Sequence, residues 1–197
     1  REDGTGDTEP LFTNDRDKVS TSIAPDGSVV AFTETSPENG RDIWMLPLDG
    51  ERRPEPFLTT LFNERSTRFS PDGEWVAYQS DRSGRNEVYV RPYGEGGASV
   101  QVSTEGARAP RWAPSGRELF YRHQNSMLAV PIDTTGGVTV GNPTVLWEND
   151  RWGLFSSYGV STDGERFVVA LTAGDPKPAE PIIVQNWTQE LLERVPV

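Results

Sequence analysis

Four short turns recur along the chain at intervals of 46, 43 and 48 residues: Pro25-Asp26-Gly27, Pro71-Asp72-Gly73, Pro114-Ser115-Gly116 and Thr162-Asp163-Gly164. A period of this length means one supersecondary unit copied in tandem, which narrows the fold more than any composition does. Asp or Ser followed by Gly marks a tight hairpin, because glycine accepts a positive φ without steric cost. Each turn is preceded by an extended segment ending in Ile23, Phe69, Trp112 or Val160. Each is followed by a run of strand-forming residues: Val29–Phe32, Trp75–Tyr78, Leu119–Tyr121 and Phe167–Ala170. A third set reads Ile43–Leu46, Val88–Val90, Met127–Val130 and Ile182–Val184, and a fourth Leu11-Phe12, Phe57-Leu58, Val100–Val102 and Val145–Trp147. All are rich in the β-branched and aromatic side chains that pack well on a pleated surface.

Four antiparallel strands in each unit of 43 to 48 residues is the blade of a β-propeller. The expected fold is therefore all-β, a single domain over residues 1–197. Its repeats span about 14–58, 59–103, 104–148 and 149–187, with a strand at 9–13 completing the last blade. The spacing allows two arrangements: a closed four-bladed ring with shared end strands, or an arc cut from a larger ring. Apolar residues at 187, 191, 192 and 195, with Thr188 as N-cap and Pro196 as stop, predict a short helix over 188–195. The 19 Gly and 16 Pro lie scattered, as many short strands with tight turns require.

Acids outnumber bases 30 to 19, giving a net charge of −11. Phosphate backbones need clustered Lys and Arg, so nucleic acid is not an expected partner, and neither is an anionic membrane surface. No apolar run approaches the ~18 residues of a membrane span, so no direct insertion is expected. The absence of Cys removes thiolate chemistry and disulfides. The polar opening without Met reads as a processed or trimmed piece of something longer.

The segment Phe69-Ser70-Pro71-Asp72-Gly73-Glu74-Trp75-Val76-Ala77-Tyr78, followed by Ser80-Asp81-Arg82-Ser83-Gly84 and Glu87-Val88-Tyr89-Val90, resembles the TolB-like, WD-type propeller repeat of bacteria. The first repeat matches well; the third has Ser115 for Asp and the fourth Thr162 for Pro. The ending from Pro181 through Trp187 is similar to the C-terminal propeller of receptor-type Ser/Thr kinases. The resemblance implies a sensor or interaction portion of a larger protein, periplasmic or extracellular, in a family whose rings usually have six or more blades.

Catalytic signatures are missing from the sequence. One histidine, His123, supports neither a triad nor a multi-His metal site, and no nucleophile elbow or phosphate-cradling loop occurs. Neither a catalytic residue, a metal site nor a cofactor is expected. The Asp26, Asp72 and Asp163 carboxylates, like the Ser115 hydroxyl, read as turn formers beside Gly27, Gly73, Gly164 and Gly116.

The innermost strand of each blade lines the central channel, so equivalent positions form rings. Four residues before the turn Asp or Ser stand Ser22, Arg68, Arg111 and Gly159; seven before stand Val19, Arg65, Arg108 and Ser156. Two matched arginine pairs in an acidic chain suggest an anion- or carboxylate-binding patch at the channel mouth. The alternative is that each arginine pairs with an acid such as Glu64 or Glu105. Asp15, Asp17, Asn63, Glu64, Arg151 and Trp152 would rim the same end, Trp152 as an anchor for a partner. The expected role is a non-catalytic module binding a protein, peptide or small-molecule ligand, with a homo-oligomer able to complete the ring. The competing reading is a substrate-gating propeller of a peptidase- or lyase-type enzyme whose catalytic domain lies elsewhere.

Overall fold

The computed structural model describes residues 10–94, 96–150 and 157–170, and the backbone of 182–185. Every regular element among them is a strand, and the strands form consecutive antiparallel meanders. The first blade holds β1 (Lys18–Ile23), β2 (Val29–Ser36), β3 (Gly40–Pro47) and β4 (Glu55–Leu58). The second holds β5 (Glu64–Phe69), β6 (Trp75–Ser80), β7 (Glu87–Pro92) and β8 (Val100–Gln101). In the third, β9 (Arg108–Trp112), β10 (Glu118–His123) and β11 (Ser126–Asp133) are followed by an outer strand in two pieces. Those pieces, β12 (Thr139–Val140) and β13 (Thr144–Glu148), pair with opposite halves of β11. The fourth has β14 (Ser157–Val160), β15 (Arg166–Ala170) and β16 (Ile182–Gln185). The helix expected at 188–195 lies outside the described residues.

Alternating side chains of each sheet are buried against the two neighbouring blades, which is why the strands read apolar on both phases. Ala31, Ile43 and Met45 of the first blade meet Phe69, Val76, Tyr78 and Tyr89 of the second. The opposite face of the second, with Ala77, Val88 and Val90, packs on Trp112, Leu119, Tyr121 and Val130 of the third. Phe120, Met127 and Ala129 then turn to Tyr158, Phe167 and Val169 of the fourth. Near the axis β1 packs on β5, β5 on β9 and β9 on β14, with no comparable packing from β14 back to β1 among the described residues. On β1, Val19 and Ile23 stay 65% and 60% exposed.

The closing strand expected at 9–13 is not formed in residues 10–13. Phe12 instead lies across the outward face of the first blade, its ring 5.2 Å from Phe32 in a cluster with Val30, Leu46, Trp44 and Leu48. Burial of that apolar face outweighs any edge pairing the short segment would offer.

The turns that define the repeat share one geometry. Gly27, Gly73, Gly116 and Gly164 have φ between 70° and 78°, and each donates its N–H at 2.9 Å to the carbonyl three residues back. The carboxylates of Asp26, Asp72 and Asp163 accept the N–H two residues on at 2.9–3.0 Å. Ser115 does the same more weakly, its hydroxyl 3.3 Å from the Arg117 N–H. Hydrogen bonds from Ser161 and then Glu165 pull Asp163 down to about 2. The turns also touch from blade to blade. A Cβ on Gly73 would lie 3.4 Å from the Pro25 ring, on Gly116 3.8 Å from Pro71, and on Gly164 3.3 Å from Pro114. Gly73, Gly116 and Gly164 thus each sit against the turn proline of the blade before.

One pairing works against the fold. Glu34 and Asp42 stand directly opposite on β2 and β3, and both are buried. Glu34 is compensated by Asn14 Nδ2 at 2.7 Å and Arg16 Nη1 at 2.8 Å, while Asp42 Oδ1 is buried without a hydrogen-bond partner. Burial, and then the Glu34 charge, push the Asp42 carboxyl above its ordinary value. The folded state therefore binds that proton more tightly than the unfolded chain, so stability falls as pH rises from about 4 through the raised value. Asp42→Asn is expected to add about 1 kcal/mol at pH 7 and nearly nothing below pH ~4. Urea titrations at the two pH values check this; an equal gain at both would remove the charge from the explanation.

Candidate functional site

The structure keeps the two arginine pairs on adjacent inner strands, Arg65 and Arg68 on β5, Arg108 and Arg111 on β9. In a regular strand, residues three apart point to opposite faces. Here the ladder slips between the members of each pair: Arg65 opposes Gln79 and Arg68 opposes Ala77, while Arg108 opposes Arg122 and Arg111 opposes Phe120. Two residues face one across each gap, which is a β-bulge, and the extra residue returns both arginines to one side. The first bulge residue takes the left-handed region in both copies, Ser66 at φ 59° and Ala109 at φ 55°. β1 slips between Ser20 and Ser22 but carries Val19 and Ser22 at the positions equivalent to the arginines, and β14 runs in register without a slip.

A side chain with a Cβ is strained in this region by about 1 kcal/mol. Ser66→Gly is accordingly expected to raise stability by about 1 kcal/mol, read from the urea midpoint at constant m-value. Lower stability in that variant would show that the bulge is unstrained.

Interblade hydrogen bonds fix these strands from behind. The Phe69 N–H donates to Ser22 Oγ at 3.3 Å, and Trp112 Nε1 to the Arg68 carbonyl at 3.1 Å. The Tyr158 hydroxyl lies 2.8 Å from the Ala109 carbonyl and 3.1 Å from that of Phe120. Burial pushes the Tyr158 phenol well up, so it stays a neutral donor.

None of the four arginines forms an ion pair among the described residues. Glu64, the acid nearest in sequence, is 2% exposed and turned away to the hydroxyls of Thr60 at 2.7 Å and Ser80 at 3.3 Å. Burial raises its carboxyl despite those bonds. Arg65 rests on neutral groups. With its amide oxygen turned to the guanidinium, Gln79 accepts from Arg65 Nε at 3.0 Å and Nη2 at 2.9 Å, and Asn86 lies 3.4 Å from Nη2. Arg68 donates Nη1 to the Thr67 carbonyl at 2.6 Å, and its Nε is buried with no partner. Burial first, then Arg111, lowers Arg68 to about 10; burial lowers Arg65 as well, with Arg41 and Arg108 adding to it.

Arg68 of the second blade thus lies within electrostatic reach of Arg111 of the third and Tyr158 of the fourth. Trp152 lies outside the described residues, so the rim's proposed anchor has no place in this geometry. Sequence reasoning missed Gln79 and Asn86, which orient Arg65, and Arg122, buried opposite Arg108 on β10. Of the described residues, no three His, Asp, Glu or Cys side chains come together to hold a metal.

No family model matches the chain. It is 36% identical over 98 residues to Tricorn protease homolog 1 of Streptomyces coelicolor, covering 48% of this chain and 8% of that protein. TolB from Acinetobacter baumannii superposes with a TM-score of 0.65 at 20% identity, over 85% of this chain and 40% of that one. The β-propeller domain of the Trilobed protease from Pyrococcus furiosus, described as having an open velcro topology, gives 0.52 at 18% identity, over 88% and 56%. The chain spans less than two thirds of each of these proteins. Consecutive four-stranded meanders, face-to-face blade packing and these superpositions together show that the chain has the TolB-like β-propeller fold.

Proposed function

We propose that this chain is a non-catalytic binding or sensor module, one portion of a larger bacterial protein working in the periplasm or outside the cell. Its ligand, a protein, peptide or small molecule, is received at the channel mouth by Arg65, Arg68, Arg108 and Arg111. The observation that carries this reading is the set of four inner-strand guanidinium groups without a carboxylate partner among the described residues, in a chain of net charge −11. The four side chains are half-buried, and partly desolvated charge carries a cost that an anionic ligand would relieve.

Panning an unbiased peptide library against the chain tests the reading. Selected peptides should lose binding to the Arg68→Ala/Arg111→Ala double variant, with its circular dichroism unchanged. Selected peptides that bind the double variant equally well would move the site elsewhere. The match to a Tricorn protease homolog favours a second reading, a propeller that gates substrate to a protease domain. The flanking coding sequence separates the two: an upstream kinase and membrane span supports the first, a protease domain the second.

A further inference from the structure

Four arginines at equivalent positions of two neighbouring inner strands define not only a charge but a spacing. Arg65 and Arg108, and likewise Arg68 and Arg111, hold equivalent register positions on the packed neighbouring strands β5 and β9, so the four side chains leave the backbone at two levels along these strands. The bulges set the gap between levels. Three residues of extended strand would rise about 10 Å, and a bulge shortens that. Each level thus carries two planar forks on neighbouring strands, a pairing able to grip an oxyanion through several N–H donors. Neutral groups, Gln79 and Asn86, orient Arg65 without cancelling its charge. Arg68 Nε, buried and unpartnered, is a donor left over by the fold.

Resting on the binding reading above, we propose that the channel mouth takes a ligand bearing two oxyanionic groups less than about 10 Å apart, one for each arginine level. Such a ligand is a small dicarboxylate, an organic phosphate, or a peptide with two closely spaced acidic side chains. Extended polyanions do not fit this description, because the acidic exterior repels whatever the channel does not enclose.

The experiment titrates the chain with linear α,ω-dicarboxylates of increasing length at constant ionic strength, following melting temperature and binding heat. Acetate and chloride serve as single-charge controls. A length optimum is expected, with binding at the optimum weakened at least about tenfold by Arg68→Met/Arg111→Met. That variant removes half-buried, uncompensated charge while keeping an unbranched side chain, so its melting temperature without ligand should equal or exceed that of the parent. Inorganic phosphate and a Glu-Gly-Glu peptide, run in parallel, identify the source of the oxyanion. Equal responses to acetate and to every dicarboxylate would overturn the two-level proposal. Should library-selected peptides still need Arg68 and Arg111 in that case, the binding reading stands and only the ligand class fails. If the methionine variant does not fold, the length series on the parent chain decides alone.

Discussion

Truncation of Phe120 to alanine is expected to cost about 4 kcal/mol, close to the upper end for a large buried side chain. The ring is fully buried between the third and fourth blades, 4.9 Å from Phe167 in an edge-on contact. Phe167 in turn meets Trp147 at 4.7 Å, so the cavity would open at the centre of an aromatic cluster that strands from both blades build together. Rigid sheets flank the site on both sides and cannot collapse to fill it. Urea unfolding with intrinsic tryptophan fluorescence measures the loss; a cost below about 1 kcal/mol would mean that the two blades are not packed as described.

Glu87→Ala is expected to cost about 3 kcal/mol, for a different reason. The Glu87 carboxylate is 1% exposed at the start of β7 and holds three segments. It accepts from Arg85 Nε at 2.9 Å, from the Gly106 N–H at 2.7 Å, and from the Ser103 hydroxyl. Ser103 Oγ passes the connection on, accepting the Val88 N–H at 2.9 Å. Alanine would leave the buried Ser103 hydroxyl and the half-buried Gly106 N–H without this acceptor, while the exposed Arg85 can turn to water. Because Gly106 leads directly into β9, hydrogen exchange should rise across 103–108 and loosen the approach to Arg108. Unchanged exchange there would confine Glu87 to a local role. The two substitutions are far enough apart in mechanism to be read separately, one through a void and the other through orphaned donors.

Much of this architecture was legible from the chain because the turns are chemically loud. Pro, Asp and Gly at fixed offsets leave few alternatives, and counting back from them places Arg65, Arg68, Arg108 and Arg111 on equivalent inner-strand positions. What counting cannot supply is side-chain direction. Nothing in Arg-Ser-Thr-Arg or Arg-Ala-Pro-Arg announces a bulge, since Ser66 and Ala109 adopt a positive φ without the glycine that would signal it. Without the bulge each pair would be split between two faces. The acids were equally silent. Glu64 and Glu87 have the composition of a solvated rim, yet hydroxyls and a backbone N–H hold them inside, which only tertiary packing decides. Leu11-Phe12 carried a strand pattern too short to distinguish an edge from a face, and the face won.

The contact between each turn glycine and the preceding turn proline has a consequence for how such a molecule grows. Every internal blade carries both halves of the same joint, a proline to present and a glycine to receive. Gly27, with no neighbour within 4 Å, and Thr162, in place of a proline, sit at the two ends of that series. A duplicated internal unit would therefore arrive with matching male and female parts and could be spliced between existing ones without inventing a new seam. Ring size in a lineage built this way can change by whole copies, while the angle between successive units stays fixed by one small five-membered ring resting on a residue with no side chain.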